Sequence, residues 1–322
     1  MKVLVTGAGG FIGGHLVAQL IKDGFDVRCV DIKDKPKWWQ VHDEADNRYC
    51  RDLRIKANCI EVCQTVCRVF HLAANMGGIG WITAKHADCS MDNTEIDMSM
   101  LRSAAHEGVD RFLYSSSACV YRQGTQNRPD APPLKEENAW PADPEPGYGL
   151  EKLYMEKLLE YCWNSYVLNV RVVRFHNVFG NYGDWRGGKE KAPAAACRKV
   201  AETEDGGQVE VWGDGKQTRS FMHVDDCVEG LVRLMESNHA EPINLGRDEM
   251  VSINELFGIV ASVAGKSIQL RHNLLKPQGV RGRNSDNTRL QEVLSWTPQI
   301  DLKTGLERTY SWIQEQVEKE KL

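Results

Sequence analysis

Short apolar runs alternate with amphipathic stretches through the first half of the chain. Val3-Leu4-Val5 reads as a buried strand, and Ile12, Leu16, Leu20 and Ile21 recur behind it at helical spacing. Residues 26–31, 69–73, 111–115 and 170–175 read as further strands, with helices near 55–67, 91–107 and 149–163 between them. Such strand–helix alternation predicts an α/β protein with a doubly wound parallel sheet. Between 176 and 220 the periodicity fades and Gly and Trp become frequent, after which helices return near 225–237, 252–264 and 302–319. We expect a first domain over 1–175 and a smaller C-terminal α/β domain over 176–322 that binds substrate, with some elements of the second half returning to the first domain.

Composition narrows the class without changing this picture. The chain has 322 residues, 42% hydrophobic and 26% charged, which excludes disordered, collagen-like and coiled-coil classes. At ~150 residues per domain the length allows two units with cores large enough to need no disulfide or metal. A net charge of −5 without basic stripes argues against nucleic acid as a partner. No run of 18 apolar residues exists, so no membrane partner is expected. The apolar stretch after Lys2 lasts three residues before Thr6-Gly7, too short for a signal peptide. Ten cysteines in a chain this long are read as reduced thiols, and we expect a cytoplasmic protein.

Thr6-Gly7-Ala8-Gly9-Gly10-Phe11-Ile12-Gly13 follows the first strand directly and opens a helix. Gly7, Gly10 and Gly13 permit a tight turn, close approach of a pyrophosphate and close helix–strand packing, the Rossmann arrangement. Asp31 ends the second strand, where a carboxylate accepts from ribose hydroxyls and repels a 2′-phosphate. NAD is therefore the expected cofactor, while Lys33 and Lys35 keep NADP open. Tyr148 and Lys152 stand one helical turn apart. In an open parallel sheet the ligand crevice lies at the carboxyl ends of the strands. The Gly7 loop, Asp31, Asn75, Ser117 and His176-Asn177 all follow predicted strands on that edge. A Tyr of pKa about 10 needs a neighbouring cation to act as a base near neutrality.

These motifs resemble the extended short-chain dehydrogenases/reductases, the NAD-dependent epimerase/dehydratase group. The resemblance continues through Ser116-Ser117-Ala118-Cys119-Val120-Tyr121, Ala139-Trp140-Pro141-Ala142, Tyr148-Gly-Leu-Glu-Lys152 and Arg174-Phe-His-Asn177. It extends over Gly187-Gly-Lys-Glu-Lys191-Ala-Pro-Ala-Ala, Trp212-Gly-Asp-Gly-Lys-Gln217-Thr218-Arg219-Ser-Phe and Val280-Arg281-Gly-Arg283-Asn-Ser-Asp286-Asn. It is strongest to the members that invert C3 and C5 of a GDP-hexose. GDP-mannose or a related GDP-hexose is then the implied substrate, and a homodimer formed through helices near 91–107 and 149–163 the implied assembly.

By position, the resemblance implies catalytic roles for Ser117, Tyr148, Lys152, Cys119 and Lys191. NAD contacts are implied at Gly7, Gly10, Phe11, Ile12, Gly13, Asp31, Asp52, Tyr148 and Lys152. Substrate contacts are implied at Gly77, Ser117, Ala118, Cys119, Asn177, Glu190, Lys191, Ala192 and Lys199, and at Gln217, Thr218, Arg219, Arg281 and Arg283. Inverting two carbons needs a base on one face of the sugar and an acid on the other. Cys119 and Lys191 match that pair, whereas a 4-epimerase needs no such pair. A dehydratase wants Asp-Glu where Ala118 and Cys119 stand. A non-catalytic NAD-binding regulator has no use for Tyr148. No metal site is expected. Cys59, Cys63 and Cys67 fall on one helix face without zinc-type pairing and read as core, and His86 and His106 lack partners at ligand spacing.

Overall fold

The computed structural model describes residues 1–77, 84–165, 168–276 and 278–321. At its centre lie β1 (Lys2–Thr6), β2 (Asp26–Val30), β3 (Asp46–Arg48), β4 (Arg68–His71), β5 (Arg111–Ser117) and β6 (Asn169–Phe175). With the Pro242–Leu245 strand they form a seven-stranded sheet, ordered Pro242–Leu245, β6, β5, β4, β1, β2, β3. Every pairing in it is parallel. Strand β1 is buried along nearly its whole length, which is why Val3-Leu4-Val5 reads as a continuous apolar run rather than an alternation.

Helices cover both faces. On one, Leu16 and Leu20 of Phe11–Lys22 pack with Cys227, Leu231 and Leu234 of Val224–Glu236. On the other, Cys59 and Cys63 join Met100, Leu101 and Ala104 of His86–His106 and Met155 and Leu159 of Tyr148–Ser165. Two of the three spaced cysteines are therefore core residues, while Cys67 lies beyond its helix and is exposed. At roughly 1.5–3 kcal/mol for each fully buried large apolar side chain, these two layers make the sheet a rigid platform.

A separate core joins the helices Ala192–Glu202, Ile253–Ala264 and Leu302–Glu320 to the parallel strands Gln208–Trp212 and Gln269–Asn273. The second half crosses between the cores. Val224–Glu236, Pro242–Leu245 and Leu290, Leu294 and Trp296 pack on the large sheet, while 253–264 and 302–320 pack on the small core. Strands of two or three residues join the units, such as Thr218–Arg219 pairing with Gly282–Arg283. Among the described residues no helix is long and apolar enough to cross a membrane.

Candidate active site

The glycine loop leaves β1 through Gly7, whose φ of +70° suits a residue without Cβ. A Cβ on Gly13 would lie 2.2 Å from the Gly7 carbonyl oxygen, so the helix start can approach the loop only as bare backbone. No side chain caps that helix, whose first N–H groups are those of Phe11 and Ile12. Asp31 follows β2, buried, with Oδ2 accepting from Gly9 N–H at 3.0 Å and Oδ1 from Lys33 N–H at 2.9 Å. Burial holds its carboxyl above the usual value, and the backbone donors oppose that. Asp52 differs: both its oxygens already accept from Arg54, which holds its pKa down.

Ser117 ends β5 and its Oγ accepts from Cys119 N–H at 3.2 Å, turning the chain into a single helical turn at Ala118–Val120. The Ser117 hydroxyl faces both the Tyr148 phenol and the Cys119 thiol. Tyr148 opens the Tyr148–Ser165 helix, only 4% exposed, and packs against Cys119 and Met76. Burial pushes its phenol well above the ordinary tyrosine range, and the Lys152 ammonium pulls the other way. The Cys119 thiol is likewise raised by burial, with Arg283 Nη1 donating to its sulfur at 3.7 Å and opposing the rise. Lys191 occupies the N-cap of Ala192–Glu202, with Pro193 in the first turn. Burial lowers its pKa, and the thiols of Cys119 and Cys227 are its charge neighbours.

The implied substrate residues divide by what already holds them. Arg281 grips both oxygens of Asp214, at 2.9 and 3.0 Å. Arg219 donates to the carbonyls of Thr218 and Val280, each at 2.7 Å, and burial beside Arg283 pushes it down to about 9. Arg283 donates to Gln126 Oε1 at 2.5 Å as well as to Cys119. Lys199 donates to the Glu210 carbonyl at 2.7 Å and lies over the Trp212 ring. Gln217 Nε2 donates to the Trp212 carbonyl, while its Oε1 is buried without a partner among the described residues. Thr218 Oγ1 donates to Pro129 O at 2.5 Å, Asn177 Nδ2 to Ser220 O at 3.1 Å, and Glu190 accepts from Gly188 N–H and Arg198. Gly77 ends the described stretch after β4.

The sequence profile of the NAD dependent epimerase/dehydratase family matches residues 3–246. This chain belongs to that family. Its members include the GDP-mannose 3,5-epimerase of Arabidopsis thaliana, 46% identical over 321 residues that span 100% of this chain and 84% of that protein. GDP-mannose 3,5-epimerase 1 of Oryza sativa subsp. indica is 45% identical over 326 residues, with the same coverage. The solved UDP-glucose 4-epimerase of Thermotoga maritima, with UDP-glucose, superposes with a TM-score of 0.88 at 26% identity, covering 98% of this chain and 100% of that one.

The cofactor of the family is NAD, and the residues present fit it. The Gly7–Gly13 cradle would be filled by any Cβ, the uncapped helix start offers N–H donors to a diphosphate, and Asp31 retains lone pairs for a ribose diol. Asp52 is the weakest of the cofactor assignments because Arg54 occupies its oxygens. Several supporting residues escaped the sequence reading. Gln126, 1% exposed, orients Arg283 and accepts the N–H groups of Arg281 and Gly282 on its carbonyl. His71, Asp97, Tyr114 and Glu151 surround Lys152. No local pattern marks them, because their meeting depends on sheet order.

Proposed function

We propose that the protein epimerises GDP-mannose, or a closely related GDP-hexose, at C3 and C5 through a transient 4-ketone, giving GDP-L-galactose, GDP-L-gulose or both. The observation that carries this reading is Cys119: a buried thiol beside Tyr148 and Arg283, in a chain nearly half identical throughout to proteins named GDP-mannose 3,5-epimerase. Bound NAD supplies reversible hydride acceptance at C4. Tyr148 takes the proton of the C4 hydroxyl, with Ser117 orienting that oxygen and Lys152 favouring the phenolate. A ketone at C4 acidifies the neighbouring C–H bonds, which are otherwise far too weak as acids. Cys119 and Lys191 then work from opposite faces of the ring. Burial raises the pKa of the Cys119 thiol and lowers that of the Lys191 ammonium, so it favours the uncharged form of each member of the acid/base pair.

Arg283 and Arg219 are the proposed diphosphate contacts, with Lys199, Gln217 and Thr218 toward the nucleotide. Gly77, Ala118, Asn177, Glu190 and Ala192 border the hexose. Incubation with GDP-mannose in deuterium oxide should place deuterium at C3 or C5 of the recovered sugar. Cys119→Ala should retain binding and lose that exchange. Inversion at C4 with no exchange would replace this reading by a plain 4-epimerase.

A homodimer is proposed through His86–His106 and Tyr148–Ser165. Leu150, Tyr154 and Tyr161 form one exposed stripe at helical spacing, each at least 56% exposed, and Met91 on the adjoining helix is 60% exposed. Light scattering should give twice the chain mass at micromolar concentration, and Tyr154→Glu should halve it. A monomeric parent protein would remove the dimer.

A further inference from the structure

The second turn of Tyr148–Ser165 carries Lys152 into a pocket closed to water. Its Nζ lies 2.9 Å from Tyr114 OH on β5, 3.3 Å from Asp97 Oδ2 on His86–His106 and 3.8 Å from Glu151 Oε1 on its own helix. Asp97 is held from the far side as well. Tyr114 OH donates to Oδ2 at 2.7 Å, and His71 Nε2 is 3.0 Å from Oδ1. The tautomer of His71 follows from Thr6. Its Oγ1 accepts from the N–H groups of Leu72 and Ala73, both at 3.0 Å, so its own proton goes to His71 Nδ1, 2.9 Å away. The imidazole is therefore neutral and donates Nε2–H to Asp97.

Two carboxyl groups thus face one ammonium, in unequal settings. Both oxygens of Asp97 receive donors. Glu151 Oε1 has Tyr114 OH at 3.5 Å, and its Oε2 is buried with no hydrogen-bond partner among the described residues. A full charge on Glu151 would be desolvated and beside the like charge of Asp97, with Lys152 and the Asn93 side chain opposing that cost. The other titratable groups facing this cluster are Tyr148, from the same helix, and Tyr114 and His71 from β5 and β4.

We propose that Asp97 and Glu151 carry one negative charge between them at neutral pH, with Asp97 as the positioning counter-ion of Lys152 and Glu151 as a neutral carboxyl able to take over that charge. Burial and Asp97 push the Glu151 carboxyl up to about 8, while Lys152 and His71 hold Asp97 well below the carboxylate range against its burial. Either carboxylate alone keeps Lys152 an ammonium, so Tyr148 stays within reach of ionisation. Removing both leaves a buried amine without a counter-ion. That amine sheds its proton and leaves the phenol uncompensated.

The catalytic half of this inference rests on the proposed epimerase reading, and the stability half does not. Glu151 binds its proton more tightly folded than unfolded. Its contribution to stability is therefore complete below about pH 4.5 and is lost as pH rises through about 8. Glu151→Gln should remove that loss, so its melting temperature gains on the wild type steadily across this window. Asp97→Asn should move the window to lower pH, because Lys152 then draws Glu151 into ionisation without opposition. In turnover of GDP-mannose, each single variant should keep the acid limb of kcat within about half a pH unit. The double variant should move it up by at least about one unit, a loss at pH 7 exceeding the product of the single effects about tenfold or more. Flat melting differences between Glu151→Gln and wild type overturn the shared charge whatever the enzyme acts on. A double variant whose limb stays in place, with the melting behaviour as expected, overturns only the link to Tyr148.

Discussion

The two walls of the candidate site manage charge in opposite ways. Around Lys152 every charge is answered inside the protein: Asp97 and Glu151 within 4 Å, with Tyr114 and His71 completing the hydrogen bonds. Across the crevice, Arg219 and Arg283 make no ion pair among the described residues. They donate to two backbone carbonyls, an amide oxygen and a thiol. Only Arg281 in that group has a carboxylate, Asp214. The first wall is electrically complete before anything binds. The second holds half-buried positive charge that an anionic ligand would neutralise. Chemistry and recognition are thus placed on separate walls: one group is preorganised by internal partners, the other is left short of them.

Tyr148→Phe breaks the first wall at its centre and has the largest expected effect. A positioned general acid–base group contributes typically about 10²–10⁴-fold, and kcat with GDP-mannose should fall by that much. Affinity for GDP-mannose, measured by calorimetry, should change less than about threefold, because the cationic wall is untouched. A drop in affinity comparable to the drop in rate would mean that the walls are not separate.

Legibility in the sequence followed the same division only in part. The parallel sheet was readable because buried strands and amphipathic helices repeat with clear periods, and Tyr148–Lys152 was readable because four residues make one helical turn. The short strands at Asn177–Phe179 and Thr218–Arg219 carry no period at all, and between them the helix Ala192–Glu202 and the strand Gln208–Trp212 went unread in the 176–220 region. Glu151 beside Tyr148 looks like any solvated helix position, and Asp97 sits amid Met98, Met100 and Leu101 with nothing local to mark it. Both become visible only when β4, β5 and two helices close over Lys152. In Arg281-Gly282-Arg283 the resemblance favours Arg283 over its neighbour, but spacing alone gives no reason for the choice. Which one faces Asp214 and which faces Cys119 depends on the strand pairing with Thr218–Arg219.

That last distinction gives the finer test of the second wall. Arg219 is a half-buried cation without a carboxylate partner among the described residues, and desolvation and its arginine neighbours already depress its pKa. Arg219→Met should raise the melting temperature of ligand-free protein and weaken GDP-mannose binding by about 10- to 150-fold. That is the range of a hydrogen bond to a charged group, about 1.5–3 kcal/mol. Arg281→Met should do the reverse on both counts. It leaves Asp214 without its fork, so the melting temperature should fall, while affinity shifts by less than about threefold, since that guanidinium was engaged already. Melting curves and titrations on the two variants decide between them. If Arg281→Met weakened binding as much as Arg219→Met, an internal counter-ion would not predict which arginine is free to hold the ligand, and the contrast between the walls would reduce to the chemistry of Tyr148 alone.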